Sequence, residues 1–277
     1  MAILYFTSWL LFSTLAIATP FSKRACDKTV LIAAADAYLS SQASGSLSSL
    51  SSSLSGNYTY MENNKVMSAR NGVLGKALKI DHRRTIYDVV QCATYTEYIS
   101  TSDPANPYVN GVQMRHAADG KVSSVDVIAS TTNSWLFNAT STLLHVQQES
   151  WTPLPVVSRS SREVVQAAGD AYLDMWSNAT AHLTIPWGTP CARLEGGQYT
   201  GKGKPDDSCQ PGIPTNHSQK GNTNRRYVFD EEMGSVSIFC LWQHMMNAAD
   251  SHEFRLEGGK LRYVHTMTEC GGKRCSL

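Results

Sequence analysis

"AADAYL", Ala34 to Leu39, and "AGDAYL", Ala168 to Leu173, are nearly the same six residues written twice in a chain of 277. Each lies in an amphipathic stretch. Leu31, Ala34, Ala35, Tyr38 and Leu39 fall at helical spacing, and so do Val165, Ala168, Gly169, Tyr172, Leu173 and Trp176. Asp36 and Asp170 match on the polar side. Further matches come downstream of each copy, in the same order. "YMENN" (Tyr60–Asn64) is matched by "RLEGG" (Arg193–Gly197), which aligns Glu62 with Glu195. "RRTIYD" (Arg83–Asp88) is matched by "RRYVFD" (Arg225–Asp230), and "VQMR" before "DGK" by "HEFR" before "GGK". An ordered series of this kind marks a tandem duplication.

Each copy runs helices first and strands afterwards, the α+β pattern. The expected architecture is two cone-shaped units, each a curved antiparallel sheet packed on helices around an apolar interior that suits a small molecule. The first unit is placed at 25–145 and the second at 160–277. Between them 146–159 is a linker, extended by Pro153 and Pro155. Leu47, Leu50 and Leu54 keep helical spacing inside a Ser-rich tract and predict a second helix there. Residues 196–224 read as one long loop, the length at which loops act as lids or lack regular structure.

The first 24 residues read as a secretory signal peptide followed by the dibasic pair Lys23-Arg24. Sequons at Asn57, Asn138, Asn178 and Asn216 agree with export as a glycoprotein. A net charge of +1 with no dense basic run gives no footprint for nucleic acid or for a membrane surface in the mature form. Oligomerisation is left open. Seven cysteines leave one unpaired. Cys26 and Cys92 align with Ser160 and Gly234, so the second copy lacks both together, as expected of one bridge. Cys191 and Cys209 bracket part of the long loop, and Cys270 and Cys275 close a small ring. Cys240 shares a strand face with Val236, Ile238 and Trp242 and reads as a buried thiol.

The hairpin of the second copy carries the chemistry. With Gly258-Gly259 as a two-residue turn, Leu256 pairs with Leu261, Phe254 with Tyr263 and His252 with His265. Strand alternation then puts both histidines, Phe254 and Tyr263 on the inner face, with Arg255, Arg262, Glu253 and Val264 outside. In the first copy the Asp119-Gly120 turn pairs Met114 with Val125 and Val112 with Val127, so valines stand where the histidines do. A position that accepts Val needs no His for packing. His252 and His265 are therefore the first catalytic candidates, followed by Glu195, Glu62 and His82 as acids or bases. Trp187, Arg193, Trp242, Tyr263 and Phe254 are candidate substrate-binding residues. A metal held by His252, His265 and Glu195 is the one ligand set to weigh. No other metal spacing, nucleophile elbow, Walker loop or dinucleotide fingerprint occurs, and no cofactor is expected.

The segments "ENNKV", "LKIDHRR", "QCATYTE", "WGTPCARLEGG", "YTGKG" and "SHEFRLEGGKLRYVHT" resemble a family of fungal secreted proteins that carry a domain of unknown function and are distantly similar to SnoaL and NTF2-like cone folds. Some members are natural-product pathway proteins linked to intermolecular hetero-Diels–Alder chemistry on tropolone-type quinone methides and humulene-type terpenes. Cys240, "QHMMNAAD" and the "GGKRCSL" tail depart from that pattern. The resemblance implies a cofactor-free cyclase acting on an apolar polyketide or terpenoid by dehydration and cycloaddition. The alternative is a non-catalytic secreted protein that binds a small molecule or a host component.

Overall fold

The computed structural model describes residues 26–213 and 217–276. The signal segment, Lys23-Arg24 and Asn216 lie outside the described residues. Asn57, Asn138 and Asn178 are exposed.

The first unit opens with α1 (Lys28–Ser44). Asp27 caps its start by accepting from the Thr29 amide, and Gly45 ends it in the left-handed region at φ 65°. The Ser-rich tract forms only the single turn α2 (Ser48–Ser51), because the chain turns extended at Leu54 to begin β1 (Leu54–Glu62). The expected second helix is thus one turn long, with Leu50 as its buried anchor. There follow β2 (Lys65–Val66), β3 (His82–Asp88), β4 (Ala93–Ser100), β5 (Tyr108–His116) and β6 (Val122–Ser130), in the sheet order β2-β1-β6-β5-β4-β3. After α3 (Ala139–Val146) the second unit repeats the plan. It comprises α4 (Arg162–Asp174), β7 (Ala192–Glu195), β8 (Gln198–Tyr199), β9 (Asn222–Asp230), β10 (Ser235–Trp242), β11 (Ala248–Glu257) and β12 (Lys260–Glu269), ordered β8-β7-β12-β11-β10-β9.

The two sheets have one topology. Both are mixed rather than purely antiparallel: β1 runs parallel to β6, and β7 parallel to β12. Parallel neighbours need a long connection between them, and three meandering strands supply it here. The stretch read as one loop, 196–224, is a Gly196-Gly197 turn, the short β8, an irregular run from 200 to 221 and the start of β9.

Sequence equivalences recur as contacts. Arg83 bonds Asp36 on α1 at 2.7 Å, and Arg225 bonds Asp170 on α4 at 2.7 Å. The one internal difference between the two opening motifs, Ala35 against Gly169, also has a packing cause. A Cβ on Gly169 would sit 2.6 Å from Ile238 Cδ1 and 3.1 Å from the Phe254 ring. The corresponding first-unit positions hold the smaller Thr96 and Met114. The second sheet presents bulkier side chains, and the helix accommodates them by losing a methyl group.

Each inner sheet face packs on its own helix. The outer faces pack on each other. Tyr95, Ile99, Val109 and Ile128 meet Val228, Phe239, Ala249 and Met267 in one apolar cluster. Tyr95 and Phe239 make an edge-to-face pair at 5.9 Å. Gly111 leaves the room for it, since a Cβ there would meet both rings at 3.0–3.3 Å. A reciprocal pair of bonds marks the pseudo-twofold axis: Asp230 accepts from the Tyr87 amide and Asp88 from the Phe229 amide. Three disulfides are present, Cys26–Cys92, Cys191–Cys209 and Cys270–Cys275, and Cys240 is free and buried. Among the described residues no helix is long and apolar enough to cross a membrane.

Candidate active site

The hairpin that carries the two histidines begins in the expected register, with Leu256 opposite Leu261, and then slips. Arg262 is a β-bulge, so Arg255 faces Tyr263, Phe254 faces Val264, Glu253 faces His265, and His252 faces Thr266. One extra residue reverses every later side chain, because a strand alternates with period two. His252 and Phe254 point into the cone, as expected. Tyr263 and His265 point out of it, and Val264 points in. The facing histidine pair does not exist, and the ligand set His252, His265 and Glu195 does not assemble. The sequence "KLRYVHTMTE" has apolar residues on both alternations, so nothing in it fixes the register beyond the turn.

The inner face around His252 also holds groups that the hairpin pattern does not mark. Asp250 lies two residues back on the same face of β11. Its Oδ1 accepts from the Thr268 hydroxyl at 2.7 Å and its Oδ2 from the Cys240 thiol at 3.3 Å. His252 Nδ1 is 2.8 Å from the same Oδ2, in contact but not aligned as a hydrogen bond. All four side chains are buried. Burial pushes the Cys240 thiol well above its ordinary pKa, and Asp250 adds to that, so the thiol is a neutral donor.

Aromatic rings close around this polar floor. The Tyr172 ring of α4 lies 5.7 Å from His252, 5.0 Å from Phe254, 5.2 Å from Trp176 and 6.1 Å from Trp187. Trp176 in turn meets Trp242 at 5.9 Å. Arg193 reaches in from β7, 3.3 Å from Glu195, which also accepts from the Trp135 indole at 2.8 Å. Arg193 lies beside the Tyr172 hydroxyl, whose pKa burial lifts to about 12 while Arg193 opposes the rise. The Tyr172 hydroxyl and Arg193 Nε are buried with no hydrogen-bond partner among the described residues. Unpaired buried polar atoms are costly, and these two lie side by side on the inner face of the second unit. The long loop packs against these residues. Cys209 ties it to Cys191, Pro211 accepts from Arg193 at 2.5 Å, Ile213 packs on the core, and Gln219 accepts from the Trp242 indole at 3.1 Å.

The other candidates sit elsewhere. His265 is clamped between the sheets, with Nδ1 3.0 Å from Glu97 and Nε2 2.6 Å from Glu149. Burial alone would depress its pKa, but Glu149 and Glu97 together lift it to about 10. Arg84 completes the cluster by bonding Glu253 at 2.5 Å and Glu97 at 3.2 Å beneath the Trp151 ring. The register equates His265 with Asp126, not with a valine; Asp126 bonds Arg226, the counterpart of Arg84, at 2.6 Å. His265 is thus the second unit's version of an inter-sheet ion pair. Tyr263 stacks on Trp151 in the same layer. His82 opens β3, half-buried, its pKa lowered chiefly by burial. Glu62 accepts from the Tyr60 hydroxyl at 2.6 Å and the Val73 amide at 2.7 Å inside the first unit.

A family model described as a domain of unknown function (DUF8021) matches residues 158–268, the core of the second unit. No curated protein matches the sequence. Among solved structures, a Rhodopseudomonas palustris protein provisionally described as an isomerase aligns over 37% of this chain and 90% of its own, at 11% identity and TM-score 0.30. An NTF2-like protein of unknown function from Shewanella baltica OS155 aligns over 38% and 94%, at 11% identity and TM-score 0.28. The chain is a tandem repeat of two α+β units of one topology, as the repeated strand order within it makes plain.

Proposed function

We propose that the second cone is the active site of a secreted enzyme that moves a proton on an apolar polyketide or terpenoid bearing one acidic oxygen. One observation carries this reading. The register places Cys240, Asp250, His252 and Thr268 where the first unit has Tyr98, Asn110, Val112 and Ala129. The fold accepts neutral side chains at all four positions, so packing does not require an imidazole over a carboxylate. Asp250 orients His252. Arg193 and the Tyr172 hydroxyl await an oxygen that gains negative charge.

Dehydration of an ortho-hydroxybenzyl alcohol fits this arrangement. The phenolic oxygen loses its proton to His252 and is held by Arg193 and Tyr172. The benzylic C–O bond breaks as the phenolate electrons form the quinone methide carbonyl, and the leaving hydroxide takes the proton back from His252 and departs as water. The resulting quinone methide then closes on an alkene, forming one C–O and one C–C bond, which asks the cone mainly for orientation and dryness. Three disulfides suit the oxidising compartment that secretion implies.

The test is turnover of a benzylic-alcohol precursor with an alkene partner by the mature chain and by His252→Val. Adduct formation that disappears in the folded variant supports the enzyme. Ligand binding with no turnover by either protein supports a carrier instead.

A further inference from the structure

We propose that Cys240, Asp250 and His252 form a binding site for one divalent cation of borderline softness, zinc in the first place, at the floor of the second cone. The inference rests on reading that cone as the functional half.

Thiol, carboxylate and imidazole are the three side-chain donors that zinc combines. Three protein ligands with a fourth position open is the arrangement of a reactive rather than a purely structural zinc. The donor atoms of the three buried residues lie within 4.8 Å of one another. All three come from adjacent strands of one sheet face, where strand pairing fixes their spacing: Cys240 lies directly opposite Asp250, and His252 is two residues along.

The imidazole donor is also unpartnered. His252 Nδ1 lies 2.8 Å from Asp250 Oδ2 and yet has no hydrogen bond, although its side chain is only 5% exposed. A buried nitrogen beside a carboxylate and a thiol, with no proton shared between it and the carboxylate, is open to a cation. Ligands of one tetrahedral zinc stand roughly 3.4 Å apart, given metal–ligand bonds of about 2.0–2.3 Å. The thiol–carboxylate contact of 3.3 Å already matches that spacing, and the imidazole needs to open by a few tenths of an ångström. Thr268 holds the other oxygen of Asp250 at 2.7 Å, which leaves Oδ2 facing the shared point.

The first unit has no such set. None of Tyr98, Asn110 and Val112, at its matching positions, offers a thiol, carboxylate or imidazole. The three donors occur together in one copy. Six of the seven cysteines are in disulfides, and the seventh is this one.

Loading has a chemical consequence. The cation replaces the thiol proton, and it takes the lone pair of His252 Nδ1, so the imidazole hydrogen must sit on Nε2. Zinc would therefore fix His252 as a hydrogen-bond donor through Nε2, so the loaded and the ion-free cone would differ in whether His252 can take a proton from a ligand.

The experiment uses the mature disulfide-bonded chain, dialysed against a chelator and titrated with Co2+. The expected result is one ion per chain, with a near-ultraviolet thiolate-to-cobalt charge-transfer band and visible bands of tetrahedral intensity, both displaced by one equivalent of Zn2+. Cys240→Ser should abolish the charge-transfer band, and Asp250→Asn should weaken Co2+ by more than the roughly 10–100-fold that loss of a ligand's outer partner costs. A wild-type titration with no charge-transfer band overturns the site without reliance on any variant. Equal Co2+ affinity in wild type and a folded Cys240→Ser does so too. Binding of a fluorescent apolar phenol to the chelated protein is measured beside it. Its loss would count against the ligand site of the cone, while the cobalt spectrum alone decides the metal.

Discussion

The two cones share a topology and differ in what fills them. In the first, the inner-face positions that match Cys240, Asp250 and His252 are neutral: Tyr98 donates to Gln42 at 2.7 Å, Val112 pairs with Val127 across the hairpin, and the Asn110 side chain is buried without a partner among the described residues. In the second, the same face carries an imidazole, a carboxylate, a thiol and an arginine under a disulfide-tied loop. A duplicated unit that keeps its core apolar can serve as scaffold while its twin accumulates polar groups. On the proposed function, stability and chemistry are divided between two copies joined by a shared outer-face core.

The largest expected effect breaks that comparison directly. His252→Val, which writes the first unit's residue into the second, should lower kcat/KM by about 10²–10⁴-fold, the usual worth of a positioned acid–base group. Thermal unfolding should be nearly unchanged. Retained turnover in the folded variant would move the chemistry away from His252.

A second effect, on stability alone, comes from the joint between the cones. His265→Val removes the cation from between Glu97 and Glu149 and should cost about 3–5 kcal/mol, the scale of breaking a buried pair by deleting one partner. Urea denaturation measures it. The pH dependence has a definite sign. The folded pKa of His265, about 10, lies above its ordinary value of 6.5, so the contribution is full below pH 6.5 and is lost as pH rises through 10. If alkali leaves the denaturation midpoint unmoved, once the tyrosines and lysines are corrected for with His265→Val, the clasp contributes nothing.

Smaller again is the loop. Cys191→Ala with Cys209→Ala opens a closure of 18 residues, worth about 3 kcal/mol in the chain-entropy model and less where the folded loop is held by Pro211 and Gln219. Faster release of a bound fluorescent ligand, seen by stopped flow, would identify the loop as the cover of the second cone. An unchanged release rate would leave it a structural strap. The smallest effect is Val112→His, which should fold and add no activity, because the first cone supplies Asn110 where the second has Asp250.

The sequence alone determined the duplication, the order of elements in each copy and the grouping of cysteines, because these depend on local periodicity and on matches along the chain. It also carried His252, since Leu256, Phe254 and His252 alternate on one continuous strand. Asp250 was legible by the same rule, two residues back, but nothing in "NAAD" marks it as more than a turn. His265 was decided by tertiary structure. A single bulged residue, Arg262, turns it from the cone to the inter-sheet layer, and β12 is apolar on both faces because both are buried. Where a strand has core on each side, hydrophobic alternation carries no register, and the pairing of neighbouring strands settles which side chain reaches the site.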